Sequence, residues 1–155
     1  MSVAFRRESD EEHLEPKFEL PIPPGPNLVT RRGLSLIEAQ VSELEIRLAN
    51  PLAEEERKAV MRDARYWRAR LASAQLAPAP SGDRVAIGTS VTYLRDGQSL
   101  TIEIVGHDES DPNSKRIGFT APLVRAMLGA QVGDEVDLSN EQTLTILAIA
   151  AAQSV

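Results

Sequence analysis

The chain has 155 residues, room for one ordinary domain or two small ones, with 42% apolar content but only one tryptophan, two tyrosines and three phenylalanines. It contains no cysteine and only two histidines, His13 and His107, which excludes a disulfide scaffold, a thiol nucleophile, thiolate metal sites and a histidine-rich metal centre. The longest apolar run, Leu144 to Ala152, is interrupted only by Thr145 and falls far short of the roughly 20 residues of a membrane span. Residues 1–15 carry Glu8, Asp10, Glu11 and Glu12 and lack the apolar stretch of a secretory signal, so a cytoplasmic, monomeric protein without membrane attachment is expected. The net charge of −6 divides unevenly, at −3 over residues 1–29, +2 over 30–76 and −5 over 77–155. Wrapping of duplex nucleic acid calls for a basic excess. An acidic surface with one locally basic element fits a protein partner, with RNA or DNA met at most indirectly.

Residues 1–29 read as a proline-rich arm, extended or disordered. Pro21, Pro23, Pro24 and Pro26 forbid a helix or a central strand, and Ile22, Leu28 and Val29 offer a way to pin the arm to the body of the protein. From Thr30, a candidate N-cap, Leu34, Ile37, Val41, Leu44 and Leu48 recur at spacings of 3 and 4 and predict an amphipathic helix, its start weakened by Gly33. Asn50-Pro51 reads as the cap and first residue of a second helix running to about Leu76. Glu54, Glu55 and Glu56 then fall in its opening turns, where carboxylates favour the helix dipole, and Val60, Ala64, Trp67, Leu71 and Ala74 form its apolar seam. Two seams joined by a proline-marked turn predict an antiparallel helical hairpin over 30–76, a short coiled coil. Arg57, Lys58, Arg62, Arg65, Arg68 and Arg70 make the second helix basic, whether as a solvated face paired with glutamates three or four residues away or as a contact surface.

Residues 77–83 form a Pro/Gly/Ser linker. Beyond it the apolar period becomes two, predicting strands at 84–87 and 90–94, a hairpin turn at Asp96-Gly97 and a strand carrying Leu100, Ile102 and Ile104. A polar loop spans Gly106 to Asn113, followed by a strand near 116–119 and a short helix at Pro122–Leu128 in which Leu123, Met127 and Leu128 are core candidates. Strands at 135–138 and 143–149 close the domain. An antiparallel sheet packed on one short helix makes the fold class α+β, over 84–150, with 151–155 as a tail.

Five stretches in this order resemble the Gre family of bacterial transcription factors. They are Thr30-Arg31-Arg32-Gly33-Leu34, Ala74-Gln75-Leu76, the run from Val85 to Thr92, the run from Ile104 to Asp111, and Pro122 to Gly129 with Val132-Gly133-Asp134. The resemblance implies an N-terminal coiled-coil hairpin, an FKBP-like C-terminal domain, and bacterial RNA polymerase as partner, reached through its secondary channel. It places polymerase contacts at Asp108, Glu109 and Asp111, in a loop read as exposed, and at Arg125. It implies no cofactor and no enzyme activity of the chain's own. Cleavage-stimulating members resemble one another in a Gly-Asp-Leu-rich tip whose Asp and Glu serve the polymerase's second magnesium. No such tip occurs here, and fewer than 20 residues before Asn50 limit the first helix to under roughly 30 Å. The expected function is therefore a polymerase-binding elongation regulator that does not stimulate cleavage. An alternative is an active cleavage factor using Glu54, Glu55 and Glu56 at the tip. More distant readings are a relative of the nucleoside diphosphate kinase regulator, and a peptidyl-prolyl isomerase for which only Tyr93 and Phe119 could line a pocket.

Overall fold

The computed structural model describes residues 19–152. Most of the arm expected at 1–29 lies outside the described residues, as do the last three residues of the tail. The described residues divide into two compact units, one comprising 19–25 and 37–73, the other 26–36 and 74–152.

In chain order the elements are β1 (Asn27–Val29), α1 (Arg31–Leu48), α2 (Glu54–Ser73), β2 (Ala74–Leu76), β3 (Thr89–Arg95), β4 (Gln98–Val105), β5 (Arg116–Gly118), α3 (Pro122–Met127), β6 (Glu135–Asp137) and β7 (Thr143–Ala151). Single 3₁₀ turns lie at His107–Glu109 and Pro112–Ser114. No helix among the described residues is long and apolar enough to cross a membrane.

The first unit is built on the two seams that the 3-and-4 spacing predicts. Leu44, Val60 and Ala64 are buried together, with Leu48, Leu52 and Trp67 packed against them. Trp67 also meets the edge of Tyr66, ring centroids 5.1 Å apart and planes at 89°, a favoured aromatic geometry. Ion pairs from Arg47 to Glu56 and from Glu45 to Arg68 cross between the helices. Advancing along α1 from 45 to 47 means retreating along α2 from 68 to 56, so the helices run in opposite senses. The connection differs from expectation. Asn50 does not cap α2; its side-chain amide donates to the Ile46 carbonyl at 2.8 Å and closes the end of α1, one of the orphan carbonyls every helix must satisfy. Pro51 therefore sits in the connection, and α2 starts three residues later at Glu54.

In the second unit the strand order is β5-β4-β3-β7-β6. The β3–β4 hairpin turns at Asp96 and Gly97, whose φ values of 54° and 76° are the left-handed pair a two-residue turn needs. All pairings in this sheet are antiparallel except β4–β5, which is parallel and corrects the purely antiparallel expectation. A connection of ten residues, compacted by the two 3₁₀ turns, returns β5 alongside β4 in the same direction. Val91, Tyr93, Ile102, Ile104, Leu144 and Ile146 alternate inward and bury Val124 and Met127 of α3. Val124 takes the core position expected of Leu128, which is exposed. Residues 84–87 form no strand. Val85 instead exchanges backbone hydrogen bonds with Gly129 and Ala130 at the end of α3, burying its side chain without joining the sheet.

Two further segments depart from the reading of the sequence. Asn27–Val29, assigned to the irregular arm, and Ala74–Leu76, assigned to the end of the second helix, pair as parallel strands β1 and β2. Pro26 stands just outside β1, where its missing N–H costs no ladder bond, and Leu28 packs on the core of the second unit. Trp67→Ala should lower stability by about 2–3 kcal/mol, under the range for a fully buried aromatic because the ring is only half-buried. Urea unfolding would measure this, and tryptophan emission of the wild type should be blue-shifted from that of free tryptophan.

Candidate functional site

The Gly106–Arg116 segment and α3 carry the residues for which a partner contact is expected, and they differ sharply in environment. Glu109 is 4% exposed, which corrects its assignment to an exposed loop. Its Oε2 accepts the backbone N–H of Thr30 at 3.1 Å and that of Gly106 at 3.0 Å, and its Oε1 accepts the Thr30 hydroxyl at 2.6 Å. Arg32 adds a guanidinium nitrogen 3.8 Å away. A buried carboxylate is tolerated when donors replace its water, and three do so here.

The same contacts explain the start of α1. Thr30 is the N-cap, its hydroxyl oxygen accepting the Gly33 N–H at 3.0 Å. In a local capping box the residue at the position of Gly33 would send a carboxylate back to the N–H of Thr30. Here that carboxylate comes from Glu109, and a Cβ on Gly33 would lie 2.1 Å from its Oε2. Gly33 is thus required by this approach, where the sequence alone shows only a weak helix former. Gly106 is equally constrained, since a Cβ there would lie 2.6 Å from the Leu28 carbonyl oxygen. Asp111 organises the following turn, its carboxylate accepting the Ser114 hydroxyl at 2.9 Å and its backbone exchanging hydrogen bonds with Arg116. Asp108 is half-buried and Arg125 exposed. These four residues therefore do not form one uniform contact surface. Glu109 is a structural group, and Arg125 is the most accessible.

On the helices, Glu54, Glu55 and Glu56 are exposed in the first turn of α2. Lys58 lies 4.0 Å from Glu54 and 3.8 Å from Glu55, and Glu56 binds Arg47 at 3.0 Å. The basic face is also engaged. Arg57 reaches the Asn50 carbonyl, Arg62 pairs with Asp63, and Arg65 binds Glu19 through two nitrogens. That fork holds the Glu19 carboxyl below its ordinary value. Tyr93, the aromatic considered for a pocket wall, lies inside the core, where burial raises its hydroxyl pKa.

Residues 79–151 match the model of the C-terminal domain of the transcription elongation factors GreA/GreB. Transcription elongation factor GreA of Maricaulis maris is 41% identical over 61 residues, covering 38% of this chain and 39% of that protein. GreA of Geobacillus kaustophilus is 38% identical over 72 residues, 43% of this chain and 46% of that protein. The chain thus spans less than half the length of the curated relatives it matches. Among solved structures, GreA factor homolog 1 (Gfh1) of Thermus thermophilus aligns over 82% of this chain and all of that one, at 18% identity and a TM-score of 0.40. The similarity to the Gre family thus rests on residues 79–151, just under half of the chain.

Glu109→Gln places an amide NH₂ among three donors and should cost about 2–4 kcal/mol, whereas Asp108→Asn should change stability by less than about 1 kcal/mol. Gly33→Ala should be comparable to Glu109→Gln. Urea unfolding midpoints of the three variants test this ranking.

Proposed function

We propose that the chain is a regulator of transcription elongation that binds bacterial RNA polymerase. Its C-terminal domain, FKBP-like in fold, holds the polymerase near the secondary channel. Its helices, a short coiled-coil hairpin, enter that channel without supplying the carboxylates for transcript cleavage. The match of residues 79–151 to the C-terminal domain of the GreA/GreB factors supports the docking role.

The length of the helices carries the second half of the reading. α1 has 18 residues and α2 has 20, spanning about 27 and 30 Å at 1.5 Å per residue. Metal-assisted hydrolysis needs carboxylates within ligand or hydrogen-bond distance of the attacking water. The only acidic cluster at the start of α2 is Glu54, Glu55 and Glu56, and all three already have cationic partners in Lys58 and Arg47. Arg57, Lys58, Arg62 and Arg65 are likewise engaged within the helical unit, which favours a protein partner over direct contact with RNA or DNA.

Backtracked elongation complexes from the protein's own organism provide the test. The chain should bind them, leave transcript shortening unstimulated, and slow shortening by a genuine cleavage factor added in competition. Stimulation by the wild type that is lost in a Glu54→Gln, Glu55→Gln, Glu56→Gln variant would replace this reading with that of an active cleavage factor.

A further inference from the structure

The chain upstream of β1 returns along α2. Asn27 pairs with Ala74, the residue that follows α2, while Glu19 meets Arg65, about two and a half turns earlier in that helix. The Glu19 contact is a two-point fork. Arg65 Nε donates to Oε1 at 2.7 Å and Nη2 donates to Oε2, the geometry in which a guanidinium holds a carboxylate best. These bonds, with a smaller contribution from the Arg62 charge, hold the Glu19 carboxyl below its ordinary value.

Beyond Arg65, toward the start of α2, lies a cationic stripe. Arg65, Arg62 and Lys58 are spaced by three and four residues and so share one helix face, with Lys58 about 10 Å from Arg65 along the axis. Arg62 Nη2 lies 3.5 Å from Asp63, but its Nε is buried with no hydrogen-bond partner among the described residues. A charged donor in that state costs free energy until an acceptor reaches it. Lys58 approaches Glu54 and Glu55 only to 4.0 and 3.8 Å, and these side chains are 67%, 83% and 90% exposed, where ion pairs are weak.

The sequence before Glu19 supplies what the stripe lacks. Residues 8–15 carry Glu8, Asp10, Glu11, Glu12 and Glu15 and no lysine or arginine. A chain spans up to about 3.3–3.6 Å per residue, so Glu15 reaches about 13 Å beyond Glu19, enough for Arg62 and Lys58. We propose that residues 11–15 dock on the Arg62–Lys58 stripe as an intramolecular strap, continuing the path that Glu19 begins. The strap goes beyond polymerase docking, because it gives the basic face of α2 an occupant from within the chain. Any other acidic ligand of that face must displace it.

The full chain has no cysteine, so His13→Cys creates a unique attachment point for a nitroxide label. Paramagnetic broadening of backbone amide NMR signals then reports how near the label comes to α2. Broadening at Lys58 and Arg62 should fall by about half or more in about 1 M salt, where the screening length is about 3 Å. It should fall as far in a Glu11→Gln, Glu12→Gln, Glu15→Gln variant and in a Lys58→Gln, Arg62→Gln variant, both of which keep the Glu19–Arg65 fork. Broadening that persists unchanged in both variants would mean that the fork alone tethers the segment, and the strap would be overturned. Broadening confined to another face of the protein would overturn it too. So would broadening of unlabelled, isotope-enriched chain mixed with labelled chain, which assigns the segment to a second copy. Melting temperatures identify a variant that fails to fold. If the Lys58→Gln, Arg62→Gln variant does, the triple glutamate variant, which alters neither helix, decides. No polymerase enters the measurement, so failure of the strap and failure of the docking reading are separate results.

Discussion

The Glu109 carboxylate joins two stretches of chain that are 79 residues apart, the entry to α1 and the 3₁₀ turn after β4. An ionised carboxylate removed from water loses solvation worth several kcal/mol even after relaxation, so its position is dictated by where donors can converge. A helix N-terminus supplies free N–H groups and a favourable dipole, and the Thr30 hydroxyl and the Gly106 N–H complete the set. Each donor is fixed by something else: Thr30 by its hydrogen bond from Gly33, Gly106 by the close approach of the Leu28 carbonyl, and each by the strand that ends just before it, β1 for Thr30 and β4 for Gly106. Charge burial here acts as a positional constraint more than as a source of net stability, because the desolvation cost offsets much of what the three hydrogen bonds return.

That constraint also explains what was legible in the sequence. The helices are readable because their apolar residues recur within a few positions, and a 3-and-4 spacing such as Leu34 to Leu48 reports burial directly. The Asp96-Gly97 turn and the alternation of Leu100, Ile102 and Ile104 are legible for the same local reason. Glu109 is not. Flanked by Asp108, Ser110 and Asp111 it has the composition of a solvated loop, and the donors that bury it lie in a distant segment that carries no signal pointing to it. A trace of the interaction does exist in the glycine at the third helical position, where a glutamate would complete a local box. A missing side chain at a position that wants one indicates that another part of the chain occupies the space.

The short elements show the same division. Residues 27–29 and 74–76 were hidden between proline on one side and a helix on the other, because a three-residue strand has too little length for a period to appear. Residues 84–87 differ in the opposite direction, since Val85 and Ile87 are buried as expected while the backbone bonds of Val85 go to the residues after α3 and those of Ala86 to Thr89. Burial was predictable there and partnership was not.

The parallel pairing of β1 with β2 has a further consequence for how such a protein can change over time. The pairing closes residues 30–73 into a loop whose two ends are anchored in adjacent strands of one folding unit. The entropy of closing a loop grows only with the logarithm of its length, about 0.6 kcal/mol for each doubling. Whole helical turns could therefore be inserted into or deleted from both arms of the hairpin with little penalty to the domain that anchors them, provided the two arms change together and their seams stay matched. The length of the helical pair and the packing of the unit that anchors its ends are in this way separately adjustable, so a lineage can lengthen or shorten the one without redesigning the other.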